Sequence, residues 1–336
     1  TFNISWNIFK FHLAYNSNIM KNIYSNILSF NKHCLLKIVK LLKKDTLVAL
    51  PTETVYGLAG NAYSNSAIKK IYNLKKRPKI NPLIIHYYSI NDAKKDVKIN
   101  QSFLKLYKSF SPGPLTYILK KKKKNKLSNL ATSNLETVAI RFPNNSIIRS
   151  ILKSIDFPLA IPSANKSSHT SPVSALDVYD DFKKKIKIII NGGKCKIGLE
   201  STVVDLAGKL RVLRPGLITA KEIEKVLKKK VILNKKSKKI LSPGSLKKHY
   251  SPGIPLKLNV RKAPKKYAFI TLGKKYPVTK NSFNLSLNSD LNEAAKNLYS
   301  TLRKIKKLKY KKIYVVKIPK SKIGLAINDR LKRAAN

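Results

Sequence analysis

The stretch LVALPTETVYGLAGN, Leu47 to Asn61, decides how this chain is read. An apolar run, Leu47-Val48-Ala49-Leu50, meets Pro51 and hands over to Thr52, Glu53 and Thr54. Apolar residues return at Val55 and Tyr56, and Gly57 and Gly60 follow. A buried strand that breaks at a proline into hydroxyls and a carboxylate holds polar side chains at the edge of a sheet. Taken alone, the plainer account is a strand end and a capped turn. The residues around it reverse that preference.

Upstream, Leu35, Ile38, Val39 and Leu42 recur at helical spacing within Asn31 to Lys44, an amphipathic helix that delivers the chain into the first strand. Downstream, Ser66 to Leu74 reads as a helix with Ser66 as N-cap, ended by Lys75-Lys76-Arg77-Pro78. Pro82 to His86, Leu115 to Leu119, Thr137 to Phe142, Leu159 to Ile161 and Ile186 to Ile190 read as strands. Ser102 to Phe110, Ser146 to Ile155 and Thr219 to Leu227 read as helices, and a hairpin is expected around Gly208. Lys120 to Lys124 is a solvated loop, and Ser163 to Pro172 is polar and irregular. Alternating helices and strands with short strand–turn–strand pieces predict an α/β fold with a mixed sheet.

Residues 229–255 carry three Pro and two Gly, and Ser242-Pro243-Gly244 is nearly echoed by Ser251-Pro252-Gly253, the signs of a linker. A second α/β unit follows, with strands at Tyr267 to Leu272 and Lys312 to Ile318 and helices at Asp290 to Leu302 and Leu325 to Ala335. The expected organisation is a poorly defined extension (1–30), a first domain (31–229), a linker (230–255) and a C-terminal domain (256–336).

A length of 336 residues suffices for two cores, and 43% hydrophobic content describes a globular chain. No apolar run approaches the ~20 residues of a membrane span. The two cysteines, Cys34 and Cys195, have no CxxC partner, which fits a reducing cytoplasm better than zinc or a disulfide framework. The net charge of +54, from 70 Lys+Arg against 16 Asp+Glu, would point to nucleic acid. The excess is mostly Lys, spread along the chain beside abundant Asn, Ile and Tyr, so A/T-rich codons are a competing cause.

Several residues invite chemistry. Lys75 and Arg77 stand at a helix C-terminus, as dipole partners or as a pair of cations for phosphates. Ser163-Ala164-Asn165 follows a strand and suits either a nucleotide or a turn. Asn191-Gly192-Gly193 and Gly198-Leu199-Glu200-Ser201-Thr202 form a glycine-rich loop that is neither a Walker A nor a Rossmann fingerprint. His86 ends a strand two residues from Tyr88. No Ser/His/Asp order and no metal-ligand cluster stands out.

Seven motifs occur in one order: LVALPTETVYGLAGNA, KKRPKINPLIIH, FSPGPLTYIL, TVAIRFP, AIPSANKSS, NGG…GLESTVVD and LRPG. Together they closely resemble the YrdC/Sua5 family of threonylcarbamoyl-AMP synthases over residues ~35–230. SPGSLKKHYSP (242–252) and GLAINDRLKRAA (324–335) resemble the linker and the end of the small C-terminal domain of its two-domain type. The resemblance implies a YrdC-like twisted mixed sheet with helices, plus a small Rossmann-like α/β C-terminal domain.

It implies a nucleotidyltransferase that condenses L-threonine, bicarbonate or CO2 and ATP, with Mg2+, into threonylcarbamoyl-adenylate and pyrophosphate. A separate transferase complex then places the threonylcarbamoyl group on adenosine 37 of tRNAs that read ANN codons. By the same resemblance, Lys75 and Arg77 are the catalytic basic pair that holds the triphosphate. Thr54, His86, Arg141 and Ser201 face threonine. Arg77, Asn81, Thr137, Ser163, Asn165, Ser171, Arg214 and Tyr250 bind ATP, Tyr250 from a linker that folds over the site. Two departures stand out: Lys76 where the family often has a small residue, and Lys166 to Thr170 in place of a Ser-Gly-rich turn. No general base for the threonine amine stands out.

Two rivals differ in class. An RNA-binding protein would use the basic concave face without catalysis, but no RRM, KH or aromatic stacking signature accompanies the charge. A carbamoyltransferase of the hydrogenase-maturation type would carry Cys clusters, and two lone cysteines argue against it. Met20 is the only methionine, and residues 1–19 show no clean period or cleavage site, so the native start is expected at Met20. Intact mass of the native protein checks this; a mass that includes residues 1–19 refutes it.

Overall fold

The computed structural model describes residues 24–233 and 249–335. Most of the expected N-terminal extension, residues 234–248 of the expected linker and Ser242-Pro243-Gly244 lie outside the described residues.

The chain enters through strand β1 (Ile27–Ser29) and helix α1 (Lys32–Lys43). Asn31 caps α1 by accepting the Cys34 N–H, and the face of Cys34, Ile38 and Leu42 is buried. Each such apolar side chain contributes roughly 1.5–3 kcal/mol on burial. β2 (Val48–Leu50) and β3 (Gly57–Asn61) pair antiparallel, Val48 opposite Ala59 and Leu50 opposite Gly57. The stretch that opened the sequence reading is therefore a hairpin, with Thr52 to Tyr56 in its connection. Gly57 to Asn61, to which the sequence assigns no element, is a second strand.

Helix α2 (Asn65–Lys75) starts one residue earlier than the sequence suggests. Ser64, not Ser66, is its N-cap, because the Ser64 hydroxyl accepts the Ala67 N–H. β4 (Ile84–His86), the short α3 (Ile90–Ala93), α4 (Gln101–Phe110), β5 (Leu115–Lys120), β6 (Thr137–Arg141), α5 (Ser146–Lys153) and β7 (Leu159–Ala160) follow. α6 (Ala175–Phe182) was not expected; a capping box between Ser174 and Asp177 starts it. β8 (Ile189–Asn191), β9 (Thr202–Asp205), β10 (Arg211–Arg214), α7 (Ala220–Leu227) and β11 (Ile232–Leu233) complete the first unit.

The eleven strands form one sheet in the order β1-β8-β2-β3-β7-β4-β6-β5-β9-β10-β11. Parallel and antiparallel pairs alternate irregularly, so the sheet is mixed, as expected. β1 lies inside the segment expected to be poorly defined. Its in-register pairing with Ile189 to Asn191 places it at the sheet edge.

The second unit holds β12 (Leu256–Leu258), β13 (Ala268–Thr271), β14 (Ser282–Asn284), α8 (Leu291–Lys307), β15 (Ile313–Val315) and α9 (Gly324–Ala335). Its four strands pair in parallel in the order β12-β15-β13-β14, the small Rossmann-like sheet expected. It docks on the first unit by salt bridges and close backbone contact. Arg303 of α8 grips Asp181 of α6, Nη2 to Oδ2 at 2.9 Å, and donates to the Thr170 carbonyl at 2.6 Å. Gly198, at φ +77°, lies so near α8 that a Cβ there would sit 2.6 Å from the Lys296 Cα.

A second close approach sets the position of the site. A Cβ on Gly216 of the LRPG motif would lie 2.4 Å from the Thr202 nitrogen. Gly216→Ala must push the Ser201–Thr202 backbone aside, at a cost of about 1–3 kcal/mol. Thermal unfolding is expected to show that loss; an unchanged midpoint refutes it.

Candidate active site

The connection between β2 and β3 is folded by its own hydroxyl. Thr52 Oγ1 accepts from the Thr54 and Val55 N–H groups at 3.1 and 3.2 Å and donates to the Val55 carbonyl at 2.6 Å. Its task is to shape the turn. Neighbouring loops are tied in by backbone bonds: Ile197 N–H donates to Glu53 O, Gly198 N–H to Thr54 O, and Ala164 N–H to Tyr56 O. The turn thus sits between the SAN loop and the glycine-rich loop, and presents Thr54.

Parallel pairing of β4 with β6 sets His86 opposite Arg141. Arg141 is 4% exposed, donates Nη1 to Thr54 Oγ1 at 2.9 Å and pairs Nη2 with Glu53 Oε1 at 2.6 Å. The second Glu53 oxygen is buried with no hydrogen-bond partner among the described residues. Burial, and then the Arg141 charge, hold the His86 imidazole well below its ordinary pKa, so it is neutral at pH 7. Its Nδ1 lies 3.2 Å from the Ile84 carbonyl.

The basic pair splits into two roles. Arg77 is half-buried, and its Nε and Nη2 donate to the carbonyls of Asn81 and Pro82 at 3.0 and 2.9 Å. Burial lowers its pKa to about 10, so it stays charged, and it forms no ion pair among the described residues. Lys75 is 1% exposed and points elsewhere: its Nζ donates to the carbonyls of Ser163 and Asn165. Burial first, then the Arg77 charge, lower its pKa well below the ordinary lysine value. Lys76 is exposed and sits in left-handed geometry, φ 50°, which a glycine adopts without strain.

On the opposite wall Thr116 and Ser201 share a hydroxyl contact of 2.7 Å, and Arg214 donates to the Ser201 carbonyl and hydroxyl, both at 3.0 Å. Glu200 is buried beside them. Its Oε1 accepts from Ser171 at 2.5 Å, and its Oε2 accepts from Tyr299 and from Arg330 Nε, both at 2.9 Å. Burial would raise the Glu200 pKa, but Arg330 and then Arg214 outweigh it and hold it at about 2. His249 and Tyr250 close the space from the linker end. Tyr250 stacks on Tyr299 with ring centroids 5.9 Å apart, and the Arg330 guanidinium lies 5.2 Å from its ring centre. Burial pushes the His249 pKa down to about 3, so that ring is neutral.

Eight of the expected site residues line one cavity: Thr54, Arg77, His86, Arg141, Ser163, Ser201, Arg214 and Tyr250. Five do not. Lys75 and Ser171 stand behind the wall. Asn165 is buried, and its amide donates to the Lys166 and His169 carbonyls. Asn81 is fully buried with both ends of its amide unpartnered among the described residues. Thr137 starts β6, half-buried, at the end of the strand away from Arg141. Glu200 and His249 also line the cavity. The sequence reading quoted both inside motifs yet gave neither a task, since only the fold shows which way they point.

A cavity walled by three arginines, two of them without an ion pair among the described residues, and closed over by a linker tyrosine suits a nucleotide-using transferase. The comparisons name the kind. The family profile described as "Telomere recombination" matches residues 40–216, and that described as "Threonylcarbamoyl-AMP synthase, C-terminal domain" matches residues 218–336. The chain is 36% identical over 328 residues to the threonylcarbamoyl-AMP synthase of Bacillus subtilis (strain 168), covering 92% of this chain and 94% of that one. It is 36% identical over 313 residues to the protein of the same name from Pyrococcus abyssi, covering 88% and 92%. The crystal structure of P. abyssi Sua5 complexed with L-threonine superposes with a TM-score of 0.84 at 32% identity, covering 92% of this chain and 96% of that one. The chain belongs to the threonylcarbamoyl-AMP synthase family, of the two-domain Sua5 type.

The depressed Glu200 pKa makes a pH-dependent statement about stability. A folded-state pKa of about 2 against an ordinary 4.5 gives stability that is full above about 4.5 and lost as pH falls toward 2. Glu200→Gln is therefore expected to cost a few kcal/mol at pH 7 and markedly less at pH 3. Denaturant unfolding at the two pH values checks this; an equal penalty at both refutes it.

Proposed function

We propose that this protein makes threonylcarbamoyl-AMP from L-threonine, bicarbonate and ATP, releasing pyrophosphate. The observation that carries the reading is the pair of cavity arginines, Arg77 and Arg214, neither of which has a carboxylate partner among the described residues. Buried guanidinium groups without counter-charge call for an anionic ligand. A nucleotide triphosphate reaching both arginines satisfies that demand. The relatives' names and the threonine in the P. abyssi crystal structure support the same substrates.

In this reading Arg141 and Thr54 take the threonine carboxylate and hydroxyl, with His86 and Ser201 beside them. Arg77, Arg214 and Ser163 take the nucleotide, and Asn81 serves it from behind the wall, its backbone carbonyl accepting from Arg77 Nε. Arg77 stabilises charge as pyrophosphate leaves. Lys75 contributes by holding the Ser163 and Asn165 carbonyls, which fixes the loop that meets the nucleotide. Asn165, Ser171 and Thr137 support the walls. Tyr250 lies over the cavity and covers the bound nucleotide. The neutral His86 and His249 rings add no further positive charge. Catalysis then rests on orientation and preorganised charge.

Magnesium arrives with the nucleotide. Among the described residues no three His, Cys, Asp or Glu side chains gather to hold a metal ion, so no step is assigned to an ion held by the protein. The product is a reactive mixed anhydride, so a partner that takes its threonylcarbamoyl group to tRNA adenosine 37 acts next. Two free, buried cysteines fit a reducing cytoplasm, and no described helix is long and apolar enough to cross a membrane.

Pyrophosphate release from ATP, with and without L-threonine and bicarbonate, tests the reading. Release that needs both supports it, and ATP-independent RNA binding without release refutes it. Arg77→Ala is expected to lower the dependent rate by at least about 100-fold with the fold retained, and Lys75→Ala to act as strongly through the loop. Near-normal rates in both variants overturn the site assignment.

A further inference from the structure

Among the described residues that line the cavity, Glu200 is the only carboxylate. A negative charge there opposes any polyanion that enters, and at this burial the opposition is not screened by water or salt. Glu200 stays ionised because the second unit answers its charge. Arg330 of α9, 1% exposed, donates Nε to Glu200 Oε2 at 2.9 Å and Nη2 to the Glu200 carbonyl at 3.5 Å. Its other arm is fixed by the Pro215 carbonyl and Asp329 Oδ2, at 2.9 and 2.8 Å. Tyr299 of α8 adds a hydroxyl to the same carboxylate. Arg214 is the next cation along. It donates to the backbone carbonyl and hydroxyl of Ser201, the residue after Glu200, and its field already reaches the carboxylate.

We propose that Arg330 is a positioning residue for the nucleotide: by occupying Glu200 it leaves Arg214 free for a phosphate group, so the affinity for ATP is set in part by a side chain of the C-terminal unit. The proposal rests on the functional reading above only in taking ATP as the anion. A cavity carboxylate without Arg330 turns to Arg214, which lines the same cavity and has no ion pair among the described residues. The pair that forms then costs the ligand Arg214, one of its two free guanidinium groups. The threonine end, where Arg141 is occupied by Glu53 and Thr54, is separate from this exchange.

The test is Arg330→Met in the full chain, read by direct calorimetric titration of ATP and, separately, of L-threonine. The affinity for ATP is expected to fall at least about tenfold while that for L-threonine stays within about threefold. Glu200→Gln/Arg330→Met, which removes the orphaned charge, is expected to regain most of the lost ATP affinity. A part that merely holds the fold together would weaken both ligands alike and leave the double variant no better in ATP binding. Equal losses, unchanged ATP affinity in Arg330→Met, or a folded double variant still about tenfold weak for ATP overturns the proposal. Should Arg330→Met fail to fold, the double variant decides alone. Wild-type chain that binds ATP yet releases no pyrophosphate with threonine and bicarbonate refutes the functional reading and leaves this proposal standing.

Discussion

Burying a cation away from water costs several kcal/mol unless every N–H finds an acceptor, and this chain buries four around one cavity: Lys75, Arg141, Arg214 and Arg330. Among the described residues three carboxylates answer them by direct ion pairs, Glu53 to Arg141 and both Glu200 and Asp329 to Arg330. The remainder is met by main-chain carbonyls. Lys75 is held by Ser163 and Asn165, and Arg214 by Ser201. Carbonyls free to accept such bonds are found where the backbone leaves regular structure, in the SAN loop and beside the glycine-rich loop. The irregular loops are thus the means by which positive charge is kept dry and aimed, and the sheet behind them exists to fix their ends.

The same accounting explains why two units form one site. Glu200 belongs to the first unit, but its partners Tyr299 and Arg330 lie on α8 and α9 of the second. Tyr250 packs against both of those partners as it covers the cavity. The close approach at Gly198 and the Arg303–Asp181 pair hold α8 near enough for this geometry. Cavity wall, cover and second unit therefore share one set of contacts, and a change in any of them is felt by the others.

Much of this was legible in the sequence. The long strands β5 and β6 and most helices with clear apolar faces match the expected bounds within two or three residues, because several turns or alternations give a period to read, whereas α8 runs on from the expected end at Leu302 to Lys307. Strands β1, β11, β12 and β14 fall outside every strand that the sequence suggests. Gly57 and Gly60 weaken the strand signal of β3, yet the absence of side chains is what lets that strand pack closely against Ile161 and Leu47. Of the expected site, the residues that line the cavity were named by motif. The motif could not distinguish Arg77, which faces the cavity, from Lys75, which holds the loop behind it, because both are cations two residues apart. Arg330 lay inside a stretch matched to the family but was given no task. Nothing local to it shows a partner 130 residues away.

The edges of the large sheet carry a consequence of their own. The sheet ends in a three-residue strand on one side, β1, and a two-residue strand on the other, β11. Short edge strands offer few open N–H and C=O groups to a neighbouring molecule. β1 covers Ile189, Ile190 and Asn191 of β8, two of them fully apolar side chains. A chain shortened to begin at α1 would bare that strand, giving a highly cationic protein an apolar ladder open to a second copy. Residues 24–31 thus keep an apolar edge covered, and none of them is among the residues that line the cavity.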